Sequence, residues 1–137
     1  MKNKWAILIL CNTWGIIMTL IGYIARLVLL CKGIKGQKGD FARLYVVGNG
    51  WGGISLGTTI IVSENNCTEF TITHECGHTI QNAIFGVLFP FIIGLPSLIR
   101  CKHREWQRKH GKKPKGGYYE IWFESQATEL GEIYLKG

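Results

Sequence analysis

Thr73-His74-Glu75-Cys76-Gly77-His78-Thr79 is the stretch from which the chain is read. It contains His-Glu-x-x-His. Positions four apart share a face of a helix, so His74 and His78 aim two imidazoles at one ion. Glu75 stands beside them as a candidate general base for a water activated by zinc. A five-residue motif also arises by chance, so it needs a helical setting and a third ligand.

The helical setting follows from the flanks. Ser63 to Thr68 is polar, and Asn66 with Glu69 three residues on is an N-terminal helix signature. A helix is expected from about residue 67 to 85, with Phe70, Ile72, Ile80, Ala83 and Ile84 as its apolar positions. Gly77 in mid-helix costs about 1 kcal/mol relative to Ala. That cost implies close packing, with the preceding strand as the expected neighbour. Cys76 points away from the histidine face and reads as packing. Upstream, Leu44-Tyr45-Val46-Val47 is one strand and Ile54 to Val62 a second. They form a short β-hairpin around Gly48-Asn49-Gly50-Trp51-Gly52-Gly53. That segment matches G-x-G-x-x-G, but a strand follows where a dinucleotide site needs a helix, so it reads as a turn or as backbone held close to a ligand.

The 137 residues suit one domain. Hydrophobic residues make up 47% and fall in two blocks, and the net charge of +7 falls in the segments after them. Apolar blocks flanked by Lys and Arg point to a membrane and argue against a nucleic-acid module. The five cysteines are odd in number and form no CxxC pair, which argues against a disulfide framework and suits a reducing compartment.

Trp5 to Cys31 is apolar except for Asn12 and Arg26, longer than the roughly 20 residues that cross a bilayer. Residues 1–31 are therefore expected to be an N-terminal transmembrane helix, with Arg26 reaching for the interface. The run is too long for a signal peptide and no small-x-small site follows it. A buried core helix is the alternative. Lys32 to Asp40 is a basic linker. The second block, Ala83 to Ile99, holds Gly86, Pro90, Gly94 and Pro96, so a bent path is expected. Arg100 to Lys115 is basic and holds His103 and His110. Its first part extends a helix starting near Pro96, with Leu98, Ile99, Lys102 and Trp106 on one side. Tyr118 to Leu135 is the final helix, with an interruption expected at Gly131.

Candidates for the third ligand are Glu124, Glu120, Glu129, His103 and His110. Glu124 is favoured. It sits among Trp122, Phe123 and Ala127, and a carboxylate facing a packed interior needs a partner such as a metal.

His-Glu-Cys-Gly-His-Thr-Ile-Gln, the later Phe-Gly-Val-Leu-Phe-Pro-Phe-Ile-Ile-Gly-Leu-Pro-Ser-Leu-Ile, and Tyr119 to Ala127 as Tyr-x-x-x-x-Glu-x-x-Ala carry a resemblance. Over roughly residues 50 to 131 the chain resembles a family of small, poorly characterised bacterial membrane-associated proteins with a zinc-peptidase-like HExGH motif. The pairing with Glu-x-x-Ala also resembles gluzincin-type metallopeptidases, in which two His and one Glu hold zinc. The resemblance implies Glu124 as the third ligand. Val87 stands where the family tends to have proline, and Thr128 where an Asp is common. Loss of an acid behind a ligand weakens its orientation. The resemblance implies a site and leaves the reaction open.

The expected fold is thus α+β and mainly helical, minimal zincin-like over residues 41–137, with residues 83–99 re-entrant or interfacial. A single crossing by that block would put His78 and Glu124 on opposite sides of the membrane. By the positive-inside rule, Lys32–Lys38 and Arg100–Lys115 face the cytoplasm, which places the site on the cytoplasmic side of a bacterial membrane. The expected chemistry is peptide hydrolysis by a membrane-associated zinc metallopeptidase. Zinc is held by His74, His78 and Glu124, with Glu75 as base. The strand Ile54–Val62 pairs with an extended peptide. Tyr118, Tyr119 or His103 donates to the oxyanion. Two other readings remain at this level. One is a non-catalytic membrane protein on the same scaffold. The other is a peripheral module binding anionic lipid through Arg100–Lys115.

Overall fold

The computed structural model describes residues 3–136 and is α+β, mainly helical, with a small mixed sheet. Helix α1 (Lys4–Asn12) and helix α2 (Ile16–Cys31) come first. Strands β1 (Gln37–Lys38), β2 (Arg43–Val46), β3 (Gly53–Leu56) and β4 (Thr59–Val62) follow, then helix α3 (Glu69–Phe85), helix α4 (Leu95–Lys109) and helix α5 (Trp122–Lys136). The sheet order is β1-β2-β4-β3. β2 runs parallel to β4 with Leu44 opposite Ile60, and β3 runs antiparallel to β4 with Ser55 opposite Ile60.

The hairpin therefore lies inside Ile54–Val62, where two strands stand in place of the expected one. Gly57 turns the chain at φ +65°, a conformation that disfavours side chains. The Gly-rich segment carries the chain from β2 to the sheet edge. It folds on itself: Trp51 Nε1 donates to Val47 O at 2.8 Å, and Ser63 N to Gly52 O at 3.0 Å.

The N-terminal run is also divided. α1 and α2 meet at 88°, and no described helix is long and apolar enough to cross a membrane. The break at Thr13-Trp14-Gly15 is held from α3. Asn82 Nδ2 donates to Gly15 O at 3.1 Å, and Trp14 Nε1 to Ile84 O at 3.1 Å. A Cβ at Gly15 would lie 2.6 Å from Asn82 Nδ2. Arg26 does not reach outward. It bonds Thr58 and Thr59 and ties α2 to the β3–β4 turn.

α3 runs through the centre, buried without interruption from Thr73 to Ala83. Its cap is Thr68, whose Oγ1 accepts from Thr71 N at 3.2 Å. Asn66, the expected cap, donates to Trp51 O instead. One side of α3 meets the sheet through Cys76 with Ala42, Ile60 and Val62. Another meets α1 through Ile80 and Ala83 with Ile7, Cys11 and Phe41. Its closest neighbour is α5. A Cβ at Gly77 would lie 2.8 Å from Ala127 Cα and overlap its carbonyl; one at Gly131 would lie 2.8 Å from Thr73 C. Gly77 thus packs on α5 where the strand was expected, and Gly131 serves the same crossing without interrupting the helix.

After Phe85 the chain makes a tight turn at Gly86–Leu88 and a wide one at Pro90–Gly94 before α4. The path bends by 115°. Phe89 and Ile93 are buried with Met18 and Phe123. This return brings the chain after the apolar block back to α3, as a shared His78–Glu124 site demands.

Candidate metal centre

The histidine spacing and the α3–α5 crossing set the geometry. His74 and His78 lie one turn apart, and Glu124 enters from the first turn of α5. His74 Nε2 is 2.9 Å and His78 Nε2 3.2 Å from the same oxygen, Glu124 Oε2. The three ligand atoms lie within 4.8 Å of one another, and all three residues are buried. Donors about 2.0–2.2 Å from one ion in a tetrahedral site stand about 3.3–3.5 Å apart, close to the two histidine–Glu124 separations.

The groups behind the ligands decide which ring atoms face inward. Thr128 Oγ1 donates to Glu124 O at 3.2 Å, so toward His74 Nδ1, 2.9 Å away, it acts as acceptor. Gln81 Nε2 donates to Phe123 O at 2.8 Å and to Gln126 Oε1 at 3.0 Å, which turns Gln81 Oε1 to His78 Nδ1 at 2.7 Å. A ring that donates from Nδ1 to these acceptors would, in its neutral form, present a bare Nε2 toward Glu124. Two ring nitrogens and a carboxylate oxygen converge on one point, where either a proton on Nε2 or a metal ion satisfies them. These residues could hold a metal ion. Ser97 Oγ donates to the other oxygen, Glu124 Oε1, and the Tyr118 side chain hydrogen-bonds Ser97.

The electrostatics follow. Burial pushes the Glu124 carboxyl up, but the hydrogen bonds from His74, His78 and Ser97 outweigh it and hold it well below the usual range. Burial pushes His78 down, and the Glu124 and Glu75 carboxylates reverse this, leaving it above its ordinary value. Glu75 is raised by burial, with His78 and His74 pulling the other way. A raised carboxyl suits proton transfer near neutral pH. Glu75 lies against strand β3, where a Cβ at Gly53 would be 3.1 Å from its Oε1.

The structure thus brings together His74, His78, Glu124 and Glu75. The Tyr119 ring is 4.7 Å from His74 and 5.1 Å from Phe70, and Tyr118 reaches the cluster through Ser97. It does not bring His103, which is exposed on α4 and stacks on Trp106. His110 bonds Trp106 O and stacks on the same ring. Glu120 turns toward Gly116 and Gly117, and Glu129 is exposed. β4 lies inside the sheet, so only β3 offers an edge beside Glu75. Sequence reasoning did not find the roles of Gln81 and Ser97. Gln81 had a signal, being three residues from His78 on the same face. Ser97, distant in sequence, had none. No model of a known protein family, no curated protein and no solved structure matches the chain.

Proposed function

We propose that the chain is a membrane-associated zinc metallopeptidase. The observation that carries this reading is the convergence of His74 and His78 on Glu124 Oε2, each with a hydrogen-bond partner at Nδ1, while Glu75 lies against Gly53 of β3. A donor set of two imidazoles and a carboxylate suits zinc and leaves a position open. Zinc held there supplies Lewis acidity, bringing a water's pKa to about 7. Glu75 accepts the water's proton and returns it to the leaving amine. β3 presents backbone groups to an extended peptide substrate beside Glu75. Tyr119, against His74, is the candidate donor to the oxyanion.

Membrane association is supported by the outward faces of α1 and α2. Trp5, Ile9, Leu20, Ile24, Leu27 and Leu30 are exposed on them, and Phe91, Leu95 and Leu98 are exposed on the returning segment. Apolar surface of that extent marks an interaction face. With both helix pairs bent, the chain lies in the interface of a bacterial cytoplasmic membrane, with its basic segments and its site on the cytoplasmic side.

The test separates the parts. Purified protein carries near-stoichiometric zinc, lost in His74→Ala and His78→Ala. Glu75→Gln keeps the zinc and abolishes peptide hydrolysis. A Glu75→Gln protein that still hydrolyses peptide removes Glu75 from the mechanism. An unchanged cellular phenotype for Glu75→Gln favours a non-catalytic scaffold.

A further inference from the structure

Arg26, Lys35 and Arg43 bring three positive charges to one open cleft of about 480 Å³, away from the metal ligands. The end of α2, the segment after it and β2 form its walls. Leu27, Leu30 and Ile34 line the apolar side. Among the described residues no carboxylate pairs with any of the three cations. Three like charges in one concavity repel one another, and a bound anion removes that cost.

Arg26 is built in. Its Nε donates to Thr59 Oγ1 at 2.7 Å, and its Nη2 to Thr58 O and Oγ1. Its Nη1 has no hydrogen-bond partner among the described residues. One side of the guanidinium is thus fixed on the sheet and the other is open to a planar or tetrahedral oxyanion. Lys35 and Arg43 are exposed and complete the set.

The surroundings select the anion's carrier. The outward apolar face of α2, with Ile24, Leu27, Val28 and Leu30 exposed, ends where Lys32 and Lys35 begin. That boundary is where an apolar face lying in a bilayer meets headgroups. A free phosphate has no use for the Leu27–Leu30–Ile34 wall, whereas an acyl chain covers it.

The geometry points to this cleft as a site for the phosphate of an anionic phospholipid, its acyl chain lying along Leu27, Leu30 and Ile34. The inference rests on the membrane part of the proposed function and is independent of the metal. Each cation near an anionic surface is worth about fivefold in affinity, so removing two costs about 30-fold.

The experiment compares the full chain with Lys35→Gln/Arg43→Gln on vesicles of phosphatidylcholine, alone or mixed with phosphatidylglycerol. Arg26 is kept, so the anchor to Thr58 and Thr59 stays, and an unchanged unfolding transition verifies the fold. Lys113→Gln/Lys115→Gln removes the same charge from the other basic segment. Wild type is expected to prefer the anionic vesicles, the first variant to lose about 30-fold on them alone, and the second to lose far less. Equal losses in the two variants overturn the site in favour of diffuse charge. Equal binding of wild type to both vesicles overturns it and leaves membrane association standing. No binding to either vesicle overturns both. Displacement from anionic vesicles by soluble glycerol phosphate at concentrations matching the lipid phosphate overturns the lipid as ligand.

Discussion

Replacing Gly77 by Ala tests the crossing on which the site depends. In an ordinary mid-helix position the change stabilises by about 1 kcal/mol, because Ala is the better helix former. Here the new Cβ would stand 2.8 Å from Ala127 Cα and overlap the Ala127 carbonyl. Carbon atoms rest about 3.5–4.0 Å apart and the carbonyl lies closer than Cα, so α3 and α5 must separate by about 1.5 Å. All three obstructing atoms are Ala127 backbone, so no rotamer relieves them. Overpacking of this kind costs about 1–3 kcal/mol, and a main-chain clash stands at the upper end. After the propensity gain, a net loss of about 2 kcal/mol remains, roughly 6–10 °C in midpoint for a chain of this size. Glu124 moves with α5, so its 2.9 and 3.2 Å separations from the histidines open beyond about 4 Å and metal affinity falls. Thermal unfolding by circular dichroism and zinc content of the purified variant read both effects. Gly131→Ala should behave alike, and the double variant should cost less than the two singles together, because one separation relieves both overlaps. A Gly77→Ala protein that melts at or above wild type with full zinc would refute the close crossing.

Thr128→Val should weaken zinc about 10-fold in a chelator competition, because the His74 Nδ1–H loses its acceptor, while Thr128→Asp should retain or tighten binding. Equal affinities in all three proteins would leave Thr128 without that role. Above the unfolded carboxylate value of 4.5, where the lowered Glu124 adds no slope, metal-free and zinc-loaded protein should differ in the sign of their pH dependence. His78 and Glu75 are raised in the folded chain, so their contribution is full below the unfolded values of 6.5 and 4.5 and is lost as pH rises through the folded ones. Zinc reverses the slope, since its ligands bind it only when deprotonated; parallel melting curves against pH with zinc and with chelator would count against the site. Alkylation of the native protein should label Cys31, Cys67 and Cys101 and spare Cys11 and Cys76, whose thiols burial pushes up to about 11 and about 12. Labelling of Cys76 before unfolding would show that its side of α3 is open.

The helices and the ligand set were legible because they rest on periodicity and residue type. His74, His78 and Glu124 each sit where helical spacing and burial require a partner, and α3 appears within two residues of the expected limits. What the sequence concealed depends on contacts between distant segments. The break between α1 and α2 needs Asn82, 67 residues on, to hold Gly15. Arg26 is claimed by the Thr58–Thr59 turn, which hydropathy cannot register. The hairpin was displaced because Leu56-Gly57-Thr58 reads as continuous strand until Gly57 adopts positive φ. Thr128 was read as the loss of an acid, but a hydroxyl that spends its proton on Glu124 O accepts from His74 as an acid would.

The spacing along α5 ties these points together. Glu124, Ala127, Thr128 and Gly131 recur at three and four residues and so form one stripe. On α3, Thr73, His74, Gly77, His78 and Gln81 form its counterpart. Each stripe mixes small residues with polar ones. Gly77 meets Ala127 and Gly131 meets Thr73, while His74 meets Glu124 and Thr128. The small positions set the distance between the helices, and the polar positions have the right reach only at that distance. A larger residue at either glycine would leave the ligands intact in sequence and too far apart to share an ion. The His-Glu-x-x-His motif is therefore half of a two-helix pattern, and its metal-binding capacity is a property of the crossing.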